Sequence, residues 1–203
     1  MDMPLLATLA VVLAFWLLKV QDQGRRIALL GRHLAPYQIE KHMEALTQGY
    51  LRALDESDPA RRSQIWQLQQ ASEQRLCAQF RRFAADFARA GEAETRISTL
   101  PVYLPFAARW WPRASFDARR ALAVHAQGIA RLAEAGDAGL EPKARAYALS
   151  AEIFLMQHTC HWFCKSRTVA SARMMARHQT PYAQLLDSVT PETRAAYGAL
   201  VGH

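Results

Sequence analysis

The pattern of apolar and polar positions along this chain changes character once, near its start. Residues 3–18, MPLLATLAVVLAFWLL, carry no charge, and Lys19, Arg25 and Arg26 follow. Such a run predicts a membrane-spanning helix: roughly 16 to 18 helical residues cover about 24–27 Å, slightly less than a hydrocarbon core of about 30 Å. Lys19 lengthens the span by extending its ammonium into the headgroups, and Trp16 stands where an interfacial indole belongs. A cleaved signal peptide needs positive charge before the run and a small-x-small site after it. Here Asp2 precedes and LLKVQDQG follows. A buried helix of a soluble protein is the other alternative. The expected division is an anchor over residues 1–20, a basic helical extension over 21–35 and a helical domain over 36–203. Lys19, Arg25, Arg26 and Arg32 place that domain in the cytoplasm and the N-terminus outside.

Beyond the anchor the period is helical. Ile39, Met43, Leu46, Tyr50 and Leu54 form one stripe at spacings of three and four. Asp58-Pro59 provides an N-cap and a first-turn proline for a long helix through Ala90, ended by Gly91. Its seam of Ile65, Leu68, Leu76, Phe80, Phe83 and Phe87 is interrupted by QLQQASEQ. Those glutamines either set a register between helices or face water. Ser115 caps a helix expected over residues 116–135, GDAGLEP is a linker over 136–142, and a helix runs from Pro142 to about Gln179. Thr190-Pro191-Glu192 opens a last helix to about Val201. β-branched residues are sparse and period-two alternation is absent, so the fold class is all-α: an N-terminal transmembrane helix and one bundle-like domain of about five helices.

One stretch resists the pattern. In residues 97–114, Pro101, Pro105 and Pro112 forbid a continuous helix, yet Val102, Tyr103, Leu104, Phe106, Trp110 and Trp111 are too apolar for a solvated loop. The segment either packs over the core, meets the bilayer through Arg109, Trp110, Trp111 and Arg113, or binds a partner.

Composition narrows the functional classes. Net charge is +7, and only four of the 25 basic residues are Lys. A basic domain held at a membrane lies against anionic lipid, and no nucleic-acid motif is present to favour the other polyanion. Three cysteines, Cys77, Cys160 and Cys164, make no disulfide framework and suit a reducing compartment. Cys160 and Cys164 are too far apart on a helix for a disulfide.

In AEIFLMQHTCHWFCKSR, Cys160, His161 and Cys164 share an arc of about 100°, with His158 about 60° further round. This allows a zinc site, with Cys77, His42 and His125 as further donors, or a haem site drawing on Met174, Met175 and His178. The apolar neighbours on nearly every side make the alternative a central core helix. Lys165, Arg173 and Arg177 fall in a stretch without carboxylates between Glu152 and Asp187, where they grip an anion, meet a partner's acidic patch, or simply end a helix in water.

No G-x-S-x-G, P-loop, Rossmann glycine pattern, H-E-x-x-H or paired Glu-x-x-His occurs. The expectation is a single-pass, bacterial-type inner-membrane protein whose cytoplasmic domain is an adaptor or scaffold. It binds a protein partner, a second copy or the membrane surface, needs no cofactor and implies no catalysis. A membrane-tethered zinc or haem protein and a membrane-face enzyme are the alternatives.

Overall fold

A computed structural model of the chain describes residues 3–135 and 140–202. Helix α1 (Met3–Leu34) is a single unbroken helix that joins the apolar run to the basic extension. It is long and apolar enough to cross a membrane. Its first part, residues 3–18, is exposed throughout, whereas Asp22, Gln23 and Leu30 are buried. The same helix therefore leaves the domain at one end and forms part of its wall at the other.

The remainder is helical, as the period predicts. Helices α2 (Ile39–Asp55) and α3 (Pro59–Phe87) form an antiparallel-type hairpin turned at Asp58, whose carboxylate accepts from Ala60 N at 3.0 Å. Such a cap is worth about 1 kcal/mol. Ile39, Leu46 and Tyr50 of the stripe are buried, and Ala53 takes the inward place beside exposed Leu54. Leu68 is exposed as well, because the buried seam of α3 starts only at Glu73 and continues through Leu76, Phe80, Phe83 and Phe87.

Three expectations about boundaries are corrected. Asp117, not Ser115, receives the first amide of helix α6 (Ala118–Ala135), from Arg119 N at 2.9 Å. Ser115 is committed elsewhere, to the Arg96 guanidinium at 2.9–3.1 Å. Second, Arg96–Ser98 (β1) and Ser115–Asp117 (β2) pair antiparallel, with Ile97 opposite Phe116. Three residues are too few to show alternation, and the pair closes off the proline-broken segment. A short helical turn, α4 (Glu92–Thr95), precedes β1, and within the segment lie a second, α5 (Ala107–Trp110), and a 3-10 turn at Pro112–Ala114.

Third, the helix expected over 142–179 is two. Helix α7 (Pro142–Cys164) stops at Lys165, and α8 (Arg167–His178) restarts with Ser166 accepting from Val169 N at 3.3 Å. Helices α9 (Tyr182–Ser188) and α10 (Pro191–Val201) complete the chain, each behind a proline. The linker expected over 136–142 falls largely on residues 136–139, outside the described residues.

Helix α7 is the centre of the domain. It packs on α6, α8, α9, α2 and the inner part of α1, and it is apolar on nearly all sides, as a surrounded helix must be. The rings of Phe80, Phe83, Phe87 and Phe163 continue as a line of contacts 5.6–6.0 Å apart from α3 into α7. Each is buried to 1–2 % exposure or less, so the hydrophobic gain per ring is of order 1.5–3 kcal/mol.

Candidate functional site

Two surfaces meet where α1 joins the domain. Asp22, about 3 Å along the helix beyond Val20, is buried and fully engaged. The Tyr103 hydroxyl donates to it, Phe106 N–H donates to it at 3.2 Å, and Arg26 lies 3.6 Å away. Phe106 holds a left-handed backbone (φ 56°), which a bulky side chain avoids unless it is held there. One turn further in, Arg26 donates to the Arg96 carbonyl at 3.0 Å and lies over the Phe163 ring at 5.5 Å. The proline-broken segment thus leaves its strands at the level of Arg26 and reaches the level of Asp22, one turn nearer the apolar half of α1.

Trp110 and Trp111 follow at once and are 72 % and 54 % exposed, with Arg109 and Arg113 exposed beside them. Of the basic residues expected at the membrane face, Arg25 is exposed, Lys19 half-buried, and Arg26 is turned into the domain as a structural clamp. Trp16 is exposed.

The second surface is a groove of ≈ 710 Å³ between α1, α2, α3, α7 and α8. Cys160, His161, Cys164, Lys165, Arg173 and Arg177 all line it. His158 does not: it is buried on another side of α7, bonds to Ser171 at 3.1 Å and stacks on Tyr182 at 4.5 Å. Among the described residues no three His, Cys, Asp or Glu side chains are grouped as a metal-binding set. Cys160 and Cys164 line the groove, whereas His158 is turned into the core. Met174 is buried, Met175 is half exposed, and His178 stacks on Phe154 at 3.9 Å.

Burial pushes the Cys160 thiol up to about 12, helped by Cys164, and the Cys164 thiol up to about 11. Both are protonated, inert thiols at neutral pH. His161 is held below the ordinary histidine range by burial and then by Arg173 and Arg177. Its neutral Nδ1 accepts from Arg173 at 3.1 Å. Lys165 donates to Gln23 at 2.7 Å and ties the α7–α8 corner to α1. Neither Arg173 nor Arg177 pairs with a carboxylate among the described residues.

The polar interior was not visible in the sequence. Glu73, from the glutamine-rich interruption of α3, is 1 % exposed; it accepts from the Tyr50 hydroxyl at 2.7 Å and lies 3.4 Å from Arg145 of α7. Glu152 accepts from Thr190 N and Oγ1 at 3.0 and 2.8 Å, and burial raises its pKa. His125 bonds to Thr159 at 2.9 Å, and Thr159 bonds to the Tyr197 hydroxyl at 2.9 Å. Burial, followed by the nearby His158, lowers the pKa of His125 to about 3. Burial, followed by Arg167, lowers that of His158 to about 3 as well. Most of these groups are closed in by helices and bonded to one another, but Glu73 Oε2, Glu152 Oε2 and the Nδ1 atoms of His125 and His158 are buried without a hydrogen-bond partner among the described residues.

No protein family, curated protein or solved structure matches this chain.

Proposed function

We propose that the chain is a single-pass adaptor of a bacterial-type inner membrane, N-terminus outside, with a cytoplasmic helical domain apposed to the bilayer that binds a protein partner or anionic lipid without catalysis. The observation that carries the reading is the continuity of α1: its exposed apolar half and its buried half are one helix, so the anchor is built into the domain wall. The Tyr103 and Phe106 bonds to Asp22 add support, because they hold Trp110, Trp111, Arg109 and Arg113 close to the level where the apolar run ends. Indoles beside guanidiniums have the amphipathic chemistry of the headgroup layer.

The test is topological. A reporter fused after His203 should be active only in the cytoplasm, and the full-length protein should stay with membranes through alkaline carbonate. An exported C-terminus, or release into the supernatant, overturns the reading. Residues 21–203 alone should retain weak binding to vesicles containing anionic lipid, and Trp110→Ala with Trp111→Ala should remove it. Binding unchanged by those substitutions would leave α1 as the sole membrane contact.

A further inference from the structure

The groove of ≈ 710 Å³ beside α1 falls within the range of about 300–1,000 Å³ typical of small-ligand sites. The apolar side chains open to it are Ile27 and Leu34 from α1, Met43 from α2 and Phe154 from α7, laid over buried Leu30 and Phe83. One wall is cationic. Arg173 and Arg177 stand one turn apart on α8, and no described carboxylate neutralises either. The facing wall carries Glu40 and Glu44 of α2. An anionic headgroup is thus attracted to one side only, while a tail has apolar side chains from three helices beside it.

Position selects the occupant further. Ile27, at the groove's upper end, lies about 10 Å along α1 from Val20, and Lys165 at the same end is bonded to Gln23, about 5 Å from Val20. The groove therefore opens at the headgroup level of the bilayer in which α1 is proposed to sit. A single acyl chain fits within the volume and against the apolar side chains of α1, α2 and α7. Two neighbouring guanidiniums suit a carboxylate, which accepts in two directions.

We infer that this groove holds one long-chain fatty acid taken from the adjoining leaflet, its carboxylate on Arg173 and Arg177 and its chain along Ile27, Leu34 and Met43. The inference rests on the membrane-apposed reading above, since only that reading puts the groove mouth beside lipid. Cys160 and Cys164, protonated and soft, then serve as part of the apolar wall rather than as reactive thiols. The domain becomes a lipid-responsive adaptor.

The probe is palmitate carrying a photoreactive diazirine in its chain and an alkyne for recovery, applied to native membranes containing the full-length protein. After illumination, modified residues should map to the peptides holding Ile27, Leu34 and Met43, and excess unlabelled palmitate should abolish the adducts. Arg173→Gln with Arg177→Gln should lower labelling about tenfold, the loss expected when a charge-assisted contact is removed. Met43→Trp, which fills the groove and leaves both arginines in place, should lower it comparably. Retained helicity by circular dichroism and retained membrane partition show that these variants fold.

Three results overturn the inference. Adducts confined to residues 3–20 and 99–114 indicate annular lipid only. Groove adducts indifferent to both variants indicate apolar partitioning without a site. Competition by a single-chain phosphate lipid but not by palmitate indicates a different ligand. All three leave carbonate resistance and the reporter result untouched, so failure of the site is separable from failure of the topology.

Discussion

Helix α7 presents two kinds of chemistry on its different sides. Inward, Arg145, Glu152, His158 and Thr159 are buried and bonded to side chains of other helices. Toward the groove, Phe154, Cys160, His161 and Cys164 are only partly covered, and their polar atoms have few fixed partners. The difference teaches where polarity holds the fold together and where side chains are left available to a ligand. Interior polar groups were removed from water and depend on one another. Groove groups can be changed without stranding a buried charge.

The largest expected break of this contrast is Arg145→Leu. It leaves Glu73 buried at 1 % exposure without its ion-pair partner, and loss of one partner from a buried ion pair costs about 3–5 kcal/mol. Denaturant unfolding of the protein in detergent measures it. An unchanged midpoint would mean that the Arg145 contact adds nothing to what the Tyr50 hydroxyl already gives Glu73.

Acid gives the next effect. His125 and His158 have folded pKa values of about 3 against about 6.5 when unfolded. Between those values the unfolded chain binds more protons, so stability is full above about pH 6.5 and is lost as pH falls toward 3. The slope is about 1.4 kcal/mol per pH unit for each histidine. Glu152 acts in the opposite sense, because its raised folded pKa favours the folded state at low pH. Thermal melts from pH 7 to 4.5 should show a steep decline, and Glu152→Gln should make it steeper. A flat profile would place both rings in contact with water.

Gly128 and Gly49 provide a sharper pairing. A Cβ on Gly128 would collide with Glu152 and Thr193, both fixed in the core, so Gly128→Ala should cost about 1–3 kcal/mol. A Cβ on Gly49 would meet only the end of the Gln69 side chain, which can swing aside. Gly49→Ala should therefore be nearly neutral by the same melt, and equal costs would show that the Glu152 site yields as easily as a long side chain. The smallest effect belongs to the groove: Cys164→Ala and His161→Gln should each shift stability by less than about 1 kcal/mol. A larger loss at either would make the groove wall part of the core.

What could be read in advance follows from range. The apolar run, the stripe through Ile39, Leu46 and Tyr50, and the proline-marked starts at Pro59, Pro142 and Pro191 are properties of neighbouring residues. They need no partner to be recognised. The break at Lys165–Ser166 lacks glycine and proline, and only a serine cap marks it, a signal common enough to be passed over. Asp22, Glu73 and His125 acquire their meaning from Tyr103, Arg145 and Thr159, which lie 81, 72 and 34 positions away. Cys160, His161, Cys164, Arg173 and Arg177 do gather on one groove, but their convergence depends on the bend between α7 and α8. The apolar side chains that α1, α2 and α7 bring to it have no counterpart in any local motif.

Because α1 runs about 48 Å without a break, the proposed membrane span would make it a lever with its two arms in different media. A span shorter than the surrounding hydrocarbon settles by tilting less or thinning the bilayer, and a longer one by leaning over. Leu30 and Leu34, which form the groove wall, sit on the far arm of that lever. In the proposed membrane-spanning arrangement, a change of bilayer thickness would become a rotation of the whole domain and would move the groove mouth relative to the adjoining leaflet.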